Sequence, residues 1–259
     1  MTPADGQAPG GSGGDGRSGG PGDVQSERRA EQIAAGLAAV RARIDRARAA
    51  AGRTDPVHLV VVTKTFPATD VLILGRLGVT DVAENRDQEA KAKRDQCAAA
   101  DGTLRWHMIG QLQRNKANSV ARWADVVESV DRPQLAEALD RAAVAAGRRI
   151  EVLIQVALDE VFRRDRGGAD PAAVVDLARV VANSEGLDLR GVMGVAPYPG
   201  DPAAAFGRLS DVSLAVKAEW PLADRVSAGM SADLEQAIAH GATQVRVGGA
   251  VLGQRPYVQ

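Results

Sequence analysis

The sequence is short of the residues that build the most recognisable sites. One cysteine, Cys97, stands among 259 residues, so no intrachain disulfide can form, and one thiol with three histidines falls short of a Cys/His zinc cage. No metal site is expected, and the compartment is expected to be reducing. No stretch approaches the roughly 18 uninterrupted apolar residues that span a bilayer, and the N-terminus lacks the basic-then-apolar order of a signal peptide. The expected location is therefore cytoplasmic, with no membrane partner. A charge excess of either sign is also missing: 32 basic and 33 acidic side chains leave a net −1. Without a cationic stripe there is no electrostatic footprint for nucleic acid. Lysine itself is scarce, with five in the chain (Lys64, Lys91, Lys93, Lys116, Lys217), so Lys64, at the end of an apolar strand-like run, stands out.

What is present falls into two parts. Residues 1 to about 25 are rich in Gly, Ser and Pro, have almost nothing to bury, and are expected to be a disordered tail. Residues 26–259 form the expected folded domain. From Ser26, an N-cap candidate, Ile33, Leu37, Val40 and Ile44 recur at the spacing of one helical face, and Gly52 supplies a stop. Eight strand-like segments follow: 58–64, 80–85, 104–110, 124–130, 150–158, 189–195, 224–229 and 243–249. Between them lie segments with helical apolar spacing, such as Val174, Leu177, Val180 and Val181. Strict strand–helix alternation predicts parallel strands joined by crossover helices. Eight units without a linker predict a single (β/α)8 TIM-type barrel with an extra N-terminal helix.

A barrel of this type works at the carboxyl ends of its strands, and the loops after strands 7 and 8 commonly hold phosphate. Lys64 ends strand 1, Ser227-Ala-Gly-Met-Ser231 follows strand 7, and strand 8 reads Val245-Arg246-Val247-Gly248-Gly249. Ser231 before Leu234 and Ile238 fits either a phosphate-facing helix start or a plain helix cap, and the glycines fit either a close ligand approach or a corner. An unperturbed lysine is neutral in only about one molecule in a few thousand at pH 7; a desolvated or cation-flanked one becomes a nucleophile for aldehydes. Lys64 fits that role or that of a strand-end lysine reaching solvent. Phosphate plus aldehyde describes pyridoxal 5′-phosphate.

The motifs VTKTFP around Lys64, AEN with DQEA at 83–90, WHMIGQLQRNK at 106–116, ESVDR at 128–132, RGVMGVAP at 190–197 and SAGMSADLEQAIAHGATQVRVGGAVLG at 227–253 resemble the pyridoxal phosphate homeostasis protein family. Members resemble the N-terminal barrel domain of alanine racemase. The resemblance implies binding of pyridoxal 5′-phosphate, a role in vitamin B6 and amino-acid homeostasis, and no established catalytic reaction. By position it makes Lys64 the covalent Schiff-base lysine and Arg246 the group facing the pyridine nitrogen. It also places Ser231 and the backbone of Gly248 and Gly249 on the phosphate, with Asn85 and Met230 lining the pocket. An arginine cannot accept a proton from the ring, so it would weaken the cofactor as an electron sink. Two departures stand out: Gly249 replaces a usual Ser or Thr, and Arg86 replaces an aromatic residue after Glu84-Asn85.

His107, Gln113, Asn115 and Lys116 are read as structural or solvated, and Arg163, Arg164, Asp165 and Arg166 as a charged rim loop. The implied protein is a non-catalytic monomer holding pyridoxal phosphate, with pyridoxal-phosphate-dependent apo-enzymes as possible recipients. A racemase-like enzyme is the alternative. It is disfavoured because only six residues follow the GAVLG segment, where a C-terminal β domain would be needed. A phosphosugar enzyme with a substrate imine on Lys64 is a third reading.

Overall fold

The structure is a computed structural model that describes residues 21–98, 104–159 and 167–254. The chain opens with α1 (Pro21–Ala50) and then alternates β1 (His58–Val62), α2 (Ala68–Arg76), β2 (Asp81–Glu84), α3 (Asp87–Cys97), β3 (Arg105–Met108), α4 (Ala117–Val120), β4 (Val126–Val130) and α5 (Pro133–Ala145). The second half continues with β5 (Ile150–Val156), α6 (Val174–Ala182), β6 (Leu187–Gly194), α7 (Pro202–Glu219), β7 (Arg225–Ser227), α8 (Leu234–Ala239), β8 (Gln244–Val247) and α9 (Gly249–Leu252). All neighbouring strands pair in parallel, and β8 pairs with β1, so the sheet is a closed eight-stranded barrel. Each expected strand is present. Most end earlier than expected, because residues such as Thr63 and Lys64 leave the ladder to build the mouth.

The helix before β1 starts at Pro21 rather than at Ser26, so Ser26 lies inside it and caps nothing; the expected tail is therefore helical over its last five residues. Extending a formed helix adds one hydrogen bond per ordered residue, whereas starting one is costly, and proline suits a first position because it has no N–H to satisfy. Residues 1–20 and the loop 163–166 lie outside the described residues. Gly52 stops α1 as expected: its φ is +65°, and the N–H of Arg53 reaches the Arg48 carbonyl at 3.0 Å.

Ile33, Leu37, Val40 and Ile44 are all buried, and they seat α1 against α2, α8 and α9. Gly36 makes the closest approach, because a Cβ there would lie 2.3 Å from the Val251 carbonyl oxygen. Arg29 ties the same region together, donating to both Asp70 oxygens on α2 and, at 3.0 Å, to the carbonyl of Leu252. The extra helix thus buttresses the loops that follow β7 and β8.

The main apolar core lies between barrel and helices, where faces such as Leu135, Leu139 and Ala143 of α5 meet the sheet. Inside the barrel only small apolar clusters form, Val60, Val62 and Ala83 with Ile109, and Val126, Leu153 and Met193. Much of the remaining interior is polar. No helix among the described residues is long and apolar enough to cross a membrane.

Alanine exceeds glycine in helix propensity by about 1 kcal/mol, so propensity alone favours Gly36→Ala. The contact with Val251 reverses the sign: we expect the variant to lose about 1–3 kcal/mol in urea unfolding, the usual cost of overpacking.

Candidate functional site at the barrel mouth

Closure of the barrel places Val60 of β1 beside Arg246 of β8 and Val61 beside Val247, so the two strand ends emerge together. A cavity of about 260 Å³ opens there, lined by Lys64, Phe66, Met230, Ser231, Arg246, Gly248 and Gly249 with Val62, Ile109 and Ala232. Lys64 is half-buried and Met230 is exposed. Gly248 must be glycine, since a Cβ would stand 2.9 Å from the Val62 carbonyl oxygen; at Gly249 a Cβ would meet nothing within 4 Å. The first N–H groups of the turn that follows have no intrahelical acceptor, so this corner can accept an anion's oxygens.

Ser231 is not the cap of α8. Asp233 occupies that position, and its carboxylate accepts the Met230 N–H at 2.6 Å, which folds residues 230–233 into a tight turn. Gly229, with φ +89°, lets the turn pass within contact of Leu234 and Ala237. From outside, Arg43 of α1 donates to the Ser231 carbonyl at 3.1 Å and pairs with Glu235 at 2.8 Å. Nothing in the local pattern singles out Arg43, since a helical arginine looks the same whether or not it braces a loop.

Asn85 does not join the others. It lines a neighbouring cleft of about 680 Å³ with Arg86, Gln113, Lys116 and Arg132, and Gly110 packs against its backbone, a Cβ there lying 2.1 Å from the Asn85 carbonyl. Arg86 shares that cleft. Asn85 lies just past the end of β2, in the bend that leads into α3, and its backbone meets Gly110.

Arg246 is 3% exposed and rests on a buried network. It donates to Ser227 Oγ at 2.6 Å and to the Gly194 carbonyl at 2.9 Å, with Glu128 3.8 Å away. Burial pushes its guanidinium below the usual value. Glu128 also accepts from Ser227 at 2.6 Å, Gln244 at 2.8 Å and His107 at 2.6 Å. His107 contacts Asp81 through its other ring nitrogen at 2.9 Å. Both nitrogens face carboxylates, and both can donate only in the imidazolium form. Burial disfavours that charge, yet the two carboxylates outweigh it and raise the His107 pKa. For Asp81, burial opposes ionisation, but hydrogen bonds from His107 and Thr80 prevail and hold the carboxyl at about 2. Charges therefore alternate down the barrel axis from Arg246 to Asp81, and Arg105 and Arg225 extend the series to Glu151. His107 is structural in this sense, and so is Glu128, whose partners His107, Ser227 and Gln244 all come from other strands.

A family profile described as the alanine racemase N-terminal domain matches residues 36–256. Pyridoxal phosphate homeostasis proteins of Mycobacterium tuberculosis and Mycobacterium bovis are 48% identical over 245 residues, 88% of this chain and 94% of theirs. The chain belongs to the pyridoxal phosphate homeostasis protein family. A member from Pseudomonas aeruginosa is 39% identical over 87% of this chain and 96% of its own. Among solved structures, PipY of Synechococcus elongatus with pyridoxal phosphate bound is similar at TM-score 0.74 and 32% identity, covering 85% of this chain and all of PipY. Alanine racemase of Corynebacterium glutamicum, at 14% identity and TM-score 0.62, shares the fold, this chain matching 60% of it.

The raised pKa of His107 sets a pH dependence for this family member. Its stabilisation is complete below the ordinary histidine value, about 6.5, and is lost as pH rises through the folded-state value. We expect urea-derived unfolding free energy to fall as pH rises above about 6.5 in wild type, and to fall less in His107→Gln. Equal slopes would contradict a folded-state imidazolium.

Proposed function

We propose that the protein binds pyridoxal 5′-phosphate in the Lys64 cavity and serves cofactor homeostasis as a binder rather than as a catalyst. The observation that supports this most is the convergence in one cavity of a lysine amine, a buried arginine and a glycine corner able to take phosphate oxygens. Membership in the family, and the pyridoxal phosphate in the similar PipY, support the choice of ligand.

The residues fit the cofactor. Phosphate oxygens would lie on Ser231 and on the backbone at Gly248 and Gly249, with open space where Gly249 lacks a Cβ. Lys64 is the amine that would hold the cofactor's aldehyde, and the group bound there would supply a carbonyl carbon reactive toward amines. Lys64 would thus hold the cofactor covalently. Arg246 would face the pyridine nitrogen as a donor. Ser227 and Glu128 hold the guanidinium from below, and a cation with N–H donors and no acceptor disfavours protonation of the ring nitrogen, which would stay a hydrogen-bond acceptor. A cofactor held this way is a weaker electron sink, which suits storage and transfer more than carbanion chemistry.

Purified protein supplied with pyridoxal phosphate should develop a near-visible band, and borohydride reduction with peptide mapping should place the pyridoxyl group on Lys64. Lys64→Ala should give neither, and no sustained interconversion of D- and L-alanine should accompany wild type. Turnover that Lys64→Ala abolishes would favour an enzyme instead. The open space at Gly249 allows Gly249→Ser to add a phosphate donor, and one such bond should tighten binding by about tenfold in a spectrophotometric titration.

A further inference from the structure

The segment carrying Lys64 is held by a charged cluster outside the cavity. Lys93 of α3 is 6% exposed, and its ammonium has three acceptors: the Thr63 carbonyl at 2.6 Å, Glu84 Oε1 at 2.7 Å and Glu89 Oε1 at 2.7 Å. Three donors meet three acceptors. Glu84, fully buried at the end of β2, also accepts from the Thr63 hydroxyl at 2.6 Å. Glu89 accepts the backbone N–H of Thr65. The residues on either side of Lys64 are therefore tied to one ion cluster.

Thr65 gives this arrangement its meaning. Its φ is +70°, and it is the one non-glycine residue with positive φ among those described. A β-branched residue in this region is strained and persists only when its surroundings hold it there. The Glu89 carboxylate supplies that hold. Burial raises the pKa of Glu84 despite the bonds from Lys93 and Thr63. Glu89 is less buried, and hydrogen bonds from Lys93 and Thr65 keep its pKa below the ordinary value, so it stays charged.

We infer that Lys93, Glu89 and Glu84 are positioning residues that lock the Thr63–Thr65 turn and so deliver the Lys64 amine into the cofactor cavity. The inference rests on the function proposed above for Lys64. None of the three lines that cavity; they act through the backbone on both sides of the lysine. The spacing Glu84, Glu89, Lys93 puts the last two one helical turn apart on α3, while Glu84 reaches them from the strand before.

Lys93→Met would strand two carboxylates and endanger the fold, so the test uses Glu89, whose side chain is 26% exposed. In apo-protein, Glu89→Ala should speed amide hydrogen exchange at Thr65 by about tenfold, because the N–H loses its acceptor. The same variant should weaken pyridoxal phosphate binding by about fivefold or more, with a lower borohydride-trapped yield at Lys64 and a melting temperature within about 3 °C of wild type. Adding Thr65→Gly should restore affinity to within about twofold, since glycine takes positive φ without support. Unchanged exchange, unchanged affinity, or an affinity loss that glycine does not rescue would each overturn the inference. If wild type itself traps no pyridoxyl group on Lys64, the functional reading fails, and hydrogen exchange still decides whether the clamp exists.

Discussion

Backbone pairing between β1 and β8 joins the two ends of the folded chain, setting His58 beside Gln244 and Val60 beside Arg246. Lys64, six residues after His58, thereby meets the Gly248-Gly249 corner at one rim, although about 180 residues separate them. Without closure neither the amine nor the glycine corner would form part of a shared cavity. The same pairing explains why Gly248 cannot carry a side chain, because its neighbour across the seam is the Val62 carbonyl at 2.9 Å from any Cβ.

A closed barrel has an interior to fill, and this one fills much of it with charge. Arg246, Glu128, His107 and Asp81 follow one another down the axis in alternating sign, joined through Ser227 and Gln244. Each buried charge would be costly alone, and each is met by a partner of opposite sign. Removing one member leaves its neighbours uncompensated, so the network fixes the Arg246 guanidinium to a single geometry. The mouth is held from the outside as well. Arg43 and Arg29 of α1 grip the carbonyls of Ser231 and Leu252, while Lys93 and Glu89 of α3 grip the backbone on both sides of Lys64. Helices that the barrel fold uses as packing layers here also brace the loops that line the cavity.

The sequence by itself determined the architecture and the family. Eight alternating strand and helix patterns specify a parallel closed sheet, because period-2 and period-3.6 apolar spacing bury the correct faces only in those elements. Lys64, Arg246 and the glycine pair were legible too, since strand ends in a barrel fall at the working rim. What tertiary structure alone decided is which distant side chains meet. Asn85 lines the cleft beside the Lys64 cavity, and the cap of α8 is Asp233, two residues beyond Ser231. Glu128, Lys93 and Arg43 gained roles invisible in their local pattern. The physical reason is that a hydrogen bond or ion pair between residues far apart in the chain leaves no periodic trace. It exists only once closure has fixed the positions of both partners.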